Sequence, residues 1–315
     1  MKSTKKLIFG IAAAIAIPAT INHLIFKNAL TSTDNDHVCD EHYYNWKFGK
    51  IRYTVRGTGK PLLLLHKIDI GSGSHEWQNN INNLAKHHKV YAFDFLGFGY
   101  SEKPKLTYTA YLYTSLINDF IKNVIKEKTH VIASCSASAY VLMATKFESK
   151  HFDKIMLISP TGIAHDNFCI NSKYLKTLLE LPVIGTSVYT ALSSRIAIKN
   201  HLMHYCLQSK ASLNTEYFDK SYHTAHLGYA AAKFPIASLM SGYLDSRMTE
   251  NIKDTNLTIH IVWGENSLIN PFYSNSAINL EKYVYETTVI KNAKLLPHVE
   301  KPTLFYKSCR NFFMI

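Results

Sequence analysis

The stretch VIASCSASAY, Val131–Tyr140, crowds three serines and a cysteine into five positions directly after an apolar run. THVIA, Thr129–Ala133, has the length of a buried strand, and AYVLMATKFES after the turn carries apolar residues at helical spacing. A buried strand that turns tightly into a helix is half of a parallel crossover unit. The same unit recurs on both sides. PLLLLH (Pro61–His66), KVYAFD (Lys89–Asp94), KIMLISP (Lys154–Pro160), LTIHIVWG (Leu257–Gly264) and YETTVI (Tyr285–Ile290) are strand-length apolar runs. HEWQNNINNLAKHH, YTSLINDFIKNVIKE and a last segment at Leu304–Phe313 read as helices between or after them. The pattern predicts an α/β domain with a mostly parallel central sheet flanked by helices.

Two regions depart from this rhythm. Residues 167–250 are helical in pattern, rich in Tyr, His and Leu, and contain no convincing strand, so they read as a helical cap inserted into the sheet domain. WKFGKIRYTVRG alternates like a single strand ending at Gly57 and opens the domain, assigned to residues 45–315. Residues 28–44 are polar and without period, a linker.

The N-terminal segment 1–27 carries Lys2, Lys5 and Lys6 before the apolar run Leu7–Phe26. Its 20 residues suffice to span a bilayer, although Pro18 divides it and Leu7–Ile17 alone has the length of a signal-peptide core. The expectation is a membrane anchor with the domain on the outer face; the alternative is a cleaved signal and a secreted protein.

The 315 residues are 47% hydrophobic and 18% charged, with a formal net charge of +12. The lysines are dispersed and form no basic recognition helix or arginine-rich arm, so nucleic acid is not an expected partner. The five cysteines, Cys39, Cys135, Cys169, Cys206 and Cys309, show neither CxxC spacing nor a disulfide framework. The cap histidines His201, His204, His223 and His226 match no familiar metal spacing, and no metal or cofactor is expected.

Four motifs in order carry a resemblance. LLLLH followed by SHEW, DFLGFGYSEKP (Asp94–Pro104), SCSASA, and the pair WGENSLINP and LLPHVEKP resemble the landmarks of the α/β-hydrolase superfamily over residues 45–313. The most specific is Asp94–Pro104, similar to that family's D-x-x-G-x-G-x-S-x-x-P turn. The resemblance implies a nucleophile elbow of the G-x-S-x-G type, a backbone oxyanion hole and a cap over the site. With Ser134 and Ser138 in the glycine positions, Ser136 is the candidate nucleophile, and the Ala137 and Ile68 N–H groups are the candidate oxyanion donors. Lys67 stands where the oxyanion loop usually has glycine.

The family's acid and histidine positions hold Ser267 and Leu295. Either the triad is rewired, with His298 as base and Glu265, or Asp166, as acid, or hydrolysis is lost. The expected function is therefore a serine hydrolase of an ester or similar small acyl substrate of apolar character. The alternative is a catalytically inactive binding or interaction protein of the same fold.

Overall fold

The computed structural model describes residues 2–31, 41–162, 173–209, 213, 215–246, 248–253, 255–269, 271–274 and 280–314, with side chains in the first helix from residue 16 onward. Its sheet has eight strands: β1 (Glu41–Trp46), β2 (Gly49–Arg56), β3 (Lys60–Leu65), β4 (His88–Phe93), β5 (Thr129–Ser134), β6 (Phe152–Ile158), β7 (Thr258–Gly264) and β8 (Glu286–Ile290). Their order is β1-β2-β4-β3-β5-β6-β7-β8. Only β1–β2 and β2–β4 pair antiparallel; the remaining ladders are parallel. Leu62 to Leu65 and Val131 to Ala133 are buried on both faces, which is why these strands read as unbroken apolar runs.

The single alternating strand expected at 46–57 is a hairpin, turning at Lys47 and Phe48. Its first strand takes residues 41–44 from the expected linker, because Tyr44 packs edge-on against Phe120 and Trp46 Nε1 donates to Asp119 Oδ2 at 2.8 Å. The other end of that linker is helical to Thr31, and 32–40 lie outside the described residues. The helix expected over HEWQNNINNLAKHH shrinks to short turns at Ser74–Trp77 and Ile81–Leu84, in keeping with the low helix propensity of its asparagines.

Helices α2 (Ala110–Phe120), α3 (Ala137–Glu148) and, after the last strand, the C-terminal helix Pro302–Phe313 flank the sheet. Between β6 and β7 the cap supplies α4 (Lys173–Glu180), α5 (Ile184–Leu192), α6 (Arg195–His201), α7 (Thr215–His226) and α8 (Lys233–Met240). Residues 163–172, which include Asp166 and the start of the expected cap, lie outside the described residues.

The N-terminal helix α1, Lys2–Thr31, packs on the cap through some of its described side chains. Phe26 is buried against Tyr189, His226 and Tyr229, and Asn22 Nδ2 donates to Ser187 Oγ at 3.0 Å. Ile17, Ile21 and Leu24 on the same half of the helix remain exposed. Among the described residues no helix is long and apolar enough to cross a membrane.

The Asp94 turn ties the sheet to the site. Asp94 Oδ1 accepts from Ser74 N at 2.6 Å and Oδ2 from Tyr100 N at 3.0 Å, while Ser101 Oγ donates to the Asp94 carbonyl at 2.6 Å. Gly99 has φ +50, and a Cβ there would stand 2.2 Å from the Asp94 carboxylate carbon, so the turn requires glycine.

Candidate active site

The elbow after β5 turns at Cys135. This residue, not Ser136, has the left-handed backbone, with φ 49. Ser136 is already in the right-handed helical region, at φ −62 and ψ −28, and α3 begins at the next residue. A nucleophile elbow places its strained residue at the tip. In that register the motif is Ala133-Ser134-Cys135-Ser136-Ala137, with alanine at both glycine positions. The turn is fixed by Cys135 N donating to Ile158 O at 2.9 Å and by Ser138 Oγ donating to Ala133 O at 3.2 Å.

The oxyanion loop follows β3. Ile68 N donates to Ser136 Oγ at 3.3 Å, so the structure brings together two of the residues singled out from sequence. With the tip at Cys135, the residue after it is Ser136, whose own N–H takes the place assigned to Ala137. His66 Nδ1 donates to the Lys67 carbonyl at 2.6 Å and its Nε2 accepts from Phe95 N at 3.0 Å, which anchors the loop to the Asp94 turn. Lys67 is buried, and its Nζ lies 2.7 Å from Asp69 Oδ2. Burial alone would lower the Lys67 ammonium and raise the Asp69 carboxyl. The Asp69 charge reverses the first, and His201 followed by Lys67 reverses the second. His201 in turn is raised to about 10 by the Asp69 charge, against burial.

His298 does not reach the elbow. Its Nε2 lies 3.0 Å from Glu76 Oε1, its ring packs at 4.6 Å from that of Trp77, and its carbonyl accepts from Asn80 Nδ2 at 2.9 Å. Glu265 does not reach His298 either; its Oε2 accepts from Asn292 N at 3.0 Å and closes the turn after β8. Ser267 is buried with its hydroxyl donated to the Ile269 carbonyl at 2.5 Å. Leu295 packs in one apolar cluster with Cys135, Leu296 and Val299, joined from the cap by Ile198, Leu202, Cys206 and Leu207. Apolar surroundings push the Cys135 thiol far above the ordinary range, so a thiolate is not available there at neutral pH.

With the tip at Cys135, the residues standing where the family motif has nucleophile, acid and histidine are Cys135, Ser267 and Leu295. The sequence had two registers of small residues for one turn, and only the sign of φ separates them. A cavity of about 260 Å³ exists elsewhere, lined by Arg52, Arg56, His75, Asp94, Tyr100 and Lys220 among others, and includes no elbow residue.

A family model described as alpha/beta hydrolase fold matches residues 60–279. The chain belongs to that family. A 2-hydroxy-6-oxo-6-(2'-aminophenyl)hexa-2,4-dienoic acid hydrolase of Metapseudomonas resinovorans is 30% identical over 125 residues, 39% of this chain and 43% of that protein. The chain thus matches less than half the length of this relative. Among solved structures, a serine hydrolase involved in carbazole degradation superposes with TM-score 0.71 at 20% identity, covering 87% of this chain and 98% of the other. A carboxylesterase of Bacillus subtilis does so with TM-score 0.67 at 15% identity, covering 94% and 98%. These relatives of the α/β-hydrolase fold are hydrolases; at such identities the structural matches speak for the shared fold.

Proposed function

We propose that this chain is an α/β-fold hydrolase of a small carbonyl compound, working by oxyanion stabilisation without a serine–histidine relay. The observation that carries the reading is the Ile68 N–H aimed at Ser136 Oγ beside the Cys135 tip, while Leu295 fills the histidine position. A substrate carbonyl that displaces the Ser136 hydroxyl would meet the Ile68 and Ser136 amides, a donor pair suited to developing negative charge. Sites that keep such donors but lack triad members retain rate enhancements on the order of 10³–10⁴ over water. Kinship with a hydrolase of an oxo-dienoic acid agrees with a small carbonyl substrate. The apolar cap residues over the elbow favour an apolar one.

A second reading, covalent catalysis by Ser136, draws on one feature: Ser136 is partly exposed and its hydroxyl already sits on an oxyanion donor. Fluorophosphonate labelling with a panel of activated esters and oxo acids separates the two. The first reading expects slow turnover with no burst and no label, and Ser136→Ala that keeps or gains activity. Stoichiometric labelling lost in Ser136→Ala would establish the second. Binding without any turnover would defeat both and leave a binding protein.

A further inference from the structure

Asp69, His201 and Cys206 come from two distant parts of the chain, yet their donor atoms all lie within 4.8 Å of one another. Asp69 belongs to the oxyanion loop; His201 ends α6, and Cys206 ends the π-helical turn Leu202–Cys206, closed by Leu207 N donating to Leu202 O at 2.8 Å. The π turn is what makes the grouping. In an α-helix, at 3.6 residues per turn, residues five apart point about 140° away from each other. The wider π turn brings the fifth residue back toward the same face, and such turns recur at functional sites.

The turn is also pinned from below. Lys294 Nζ donates to the Met203 and His204 carbonyls at 3.0 and 2.8 Å, and Leu296 N donates to the Cys206 carbonyl at 3.1 Å. The two donor-bearing residues of the cap are therefore held on the loop that carries Leu295. His201 Nε2 stands 2.6 Å from Asp69 Oδ2, an ion pair. With the Cys206 thiol also within 4.8 Å, the paired imidazole nitrogen and carboxylate oxygen set three donor atoms of different kinds around one point.

We propose that Asp69, His201 and Cys206 form a divalent transition-metal site that takes Zn²⁺, with water as the fourth ligand. Mixed sulfur, nitrogen and oxygen donors suit this ion, and three protein ligands leave one position open. Donor distances of about 2.0–2.3 Å imply donor separations of about 3.3–3.8 Å, within reach of small side-chain adjustments. On binding, the Cys206 S–H proton and the His201 proton on the metal-facing nitrogen leave to solvent as the metal bonds form. No electron is transferred. Lys67, at 2.7 Å on the same Asp69 oxygen, must give way and is the natural competitor of the ion. The site does not depend on how the elbow is used.

The test is titration of the chelator-dialysed full chain with Co²⁺ and then Zn²⁺. One equivalent of Co²⁺ should raise a thiolate-to-cobalt charge-transfer band, and Zn²⁺ should abolish it. Cys206→Ser should lose the band, and Asp69→Asn and His201→Gln should weaken binding by more than the 10- to 100-fold of an outer-shell change. Lys67→Met should bind several-fold tighter. A folded wild type with no band, or a band that survives in Cys206→Ser, overturns the proposal. Should Cys206→Ser fail to fold, unchanged affinity in folded Asp69→Asn and His201→Gln overturns it equally.

Discussion

His298 Nε2 lies 3.0 Å from Glu76 Oε1, and the other oxygen of the same carboxylate accepts the Lys67 N–H at 3.2 Å. The histidine thus holds the oxyanion loop through Glu76, a positioning contact across 222 residues of sequence. Burial by itself would raise the Glu76 carboxyl; the hydrogen bond and charge of His298, with Lys67 behind them, hold it at about 2 instead. A carboxyl depressed in the folded state stabilises the fold above its ordinary pKa of 4.5, and that stability is lost as pH falls from there toward about 2. His298→Ala leaves a buried carboxylate alone and should cost about 3–5 kcal/mol. In urea melts across pH, the stability that wild type loses between about 4.5 and 2 should shrink or reverse in this variant, because burial now favours the protonated carboxyl in the fold. Superimposable pH profiles would show that His298 does not govern the Glu76 charge.

Most of the fold was legible because burial writes itself into strands such as Leu62–Leu65, and the Asp94–Pro104 turn leaves few alternatives. The centre was less legible for identifiable reasons. Ala133–Ala137 and Ser134–Ser138 both frame a nucleophile with small residues, so the register depends on the sign of φ at Cys135. Glu76 was unremarked within an apparent helix because its partner lies at the far end of the chain. The approach of His201 to Cys206 depends on a π turn that no helical periodicity reveals.

The cap should depend on α1. Phe26 is 2% exposed and stacks at 6.5 Å on Tyr189, whose hydroxyl donates to the Ala225 carbonyl on α7 at 2.5 Å. Phe26→Ala should destabilise the protein by about 3–5 kcal/mol, the range for a buried phenylalanine. Hydrogen exchange should show the added opening in α5 and α7, with β5 and β6 unchanged; uniform acceleration would mean that α1 supports the whole domain.

Gly264 marks the closest approach of β7 to the loop bearing Leu295. A Cβ there would lie 1.7 Å from the Lys294 carbonyl oxygen and 2.7 Å from that of Ala293. Gly264→Ala must push the loop away, at a cost of about 3 kcal/mol. The Leu296–Cys206 link should loosen with it, so limited proteolysis within the 202–207 turn should quicken. Wild-type stability in this variant would contradict the tight packing of that loop.

If Cys135 is the elbow tip and Leu295 stands in the histidine position, the triad can be rebuilt without touching Ser136. The leucine is 5% exposed and close in volume to an imidazole, and Ser267 lies after the Trp263-Gly264 pair where the acid belongs. The triple variant Cys135→Ser, Ser267→Asp, Leu295→His should therefore gain fluorophosphonate labelling at residue 135. The same three changes with Ser136→Ala should label equally well, because in this register residue 136 contributes a backbone amide and no attacking oxygen. Mass spectrometry of the labelled peptide decides the matter: label on 135 fixes the register, whereas label on 136 would return the tip to the serine despite the φ of its neighbour.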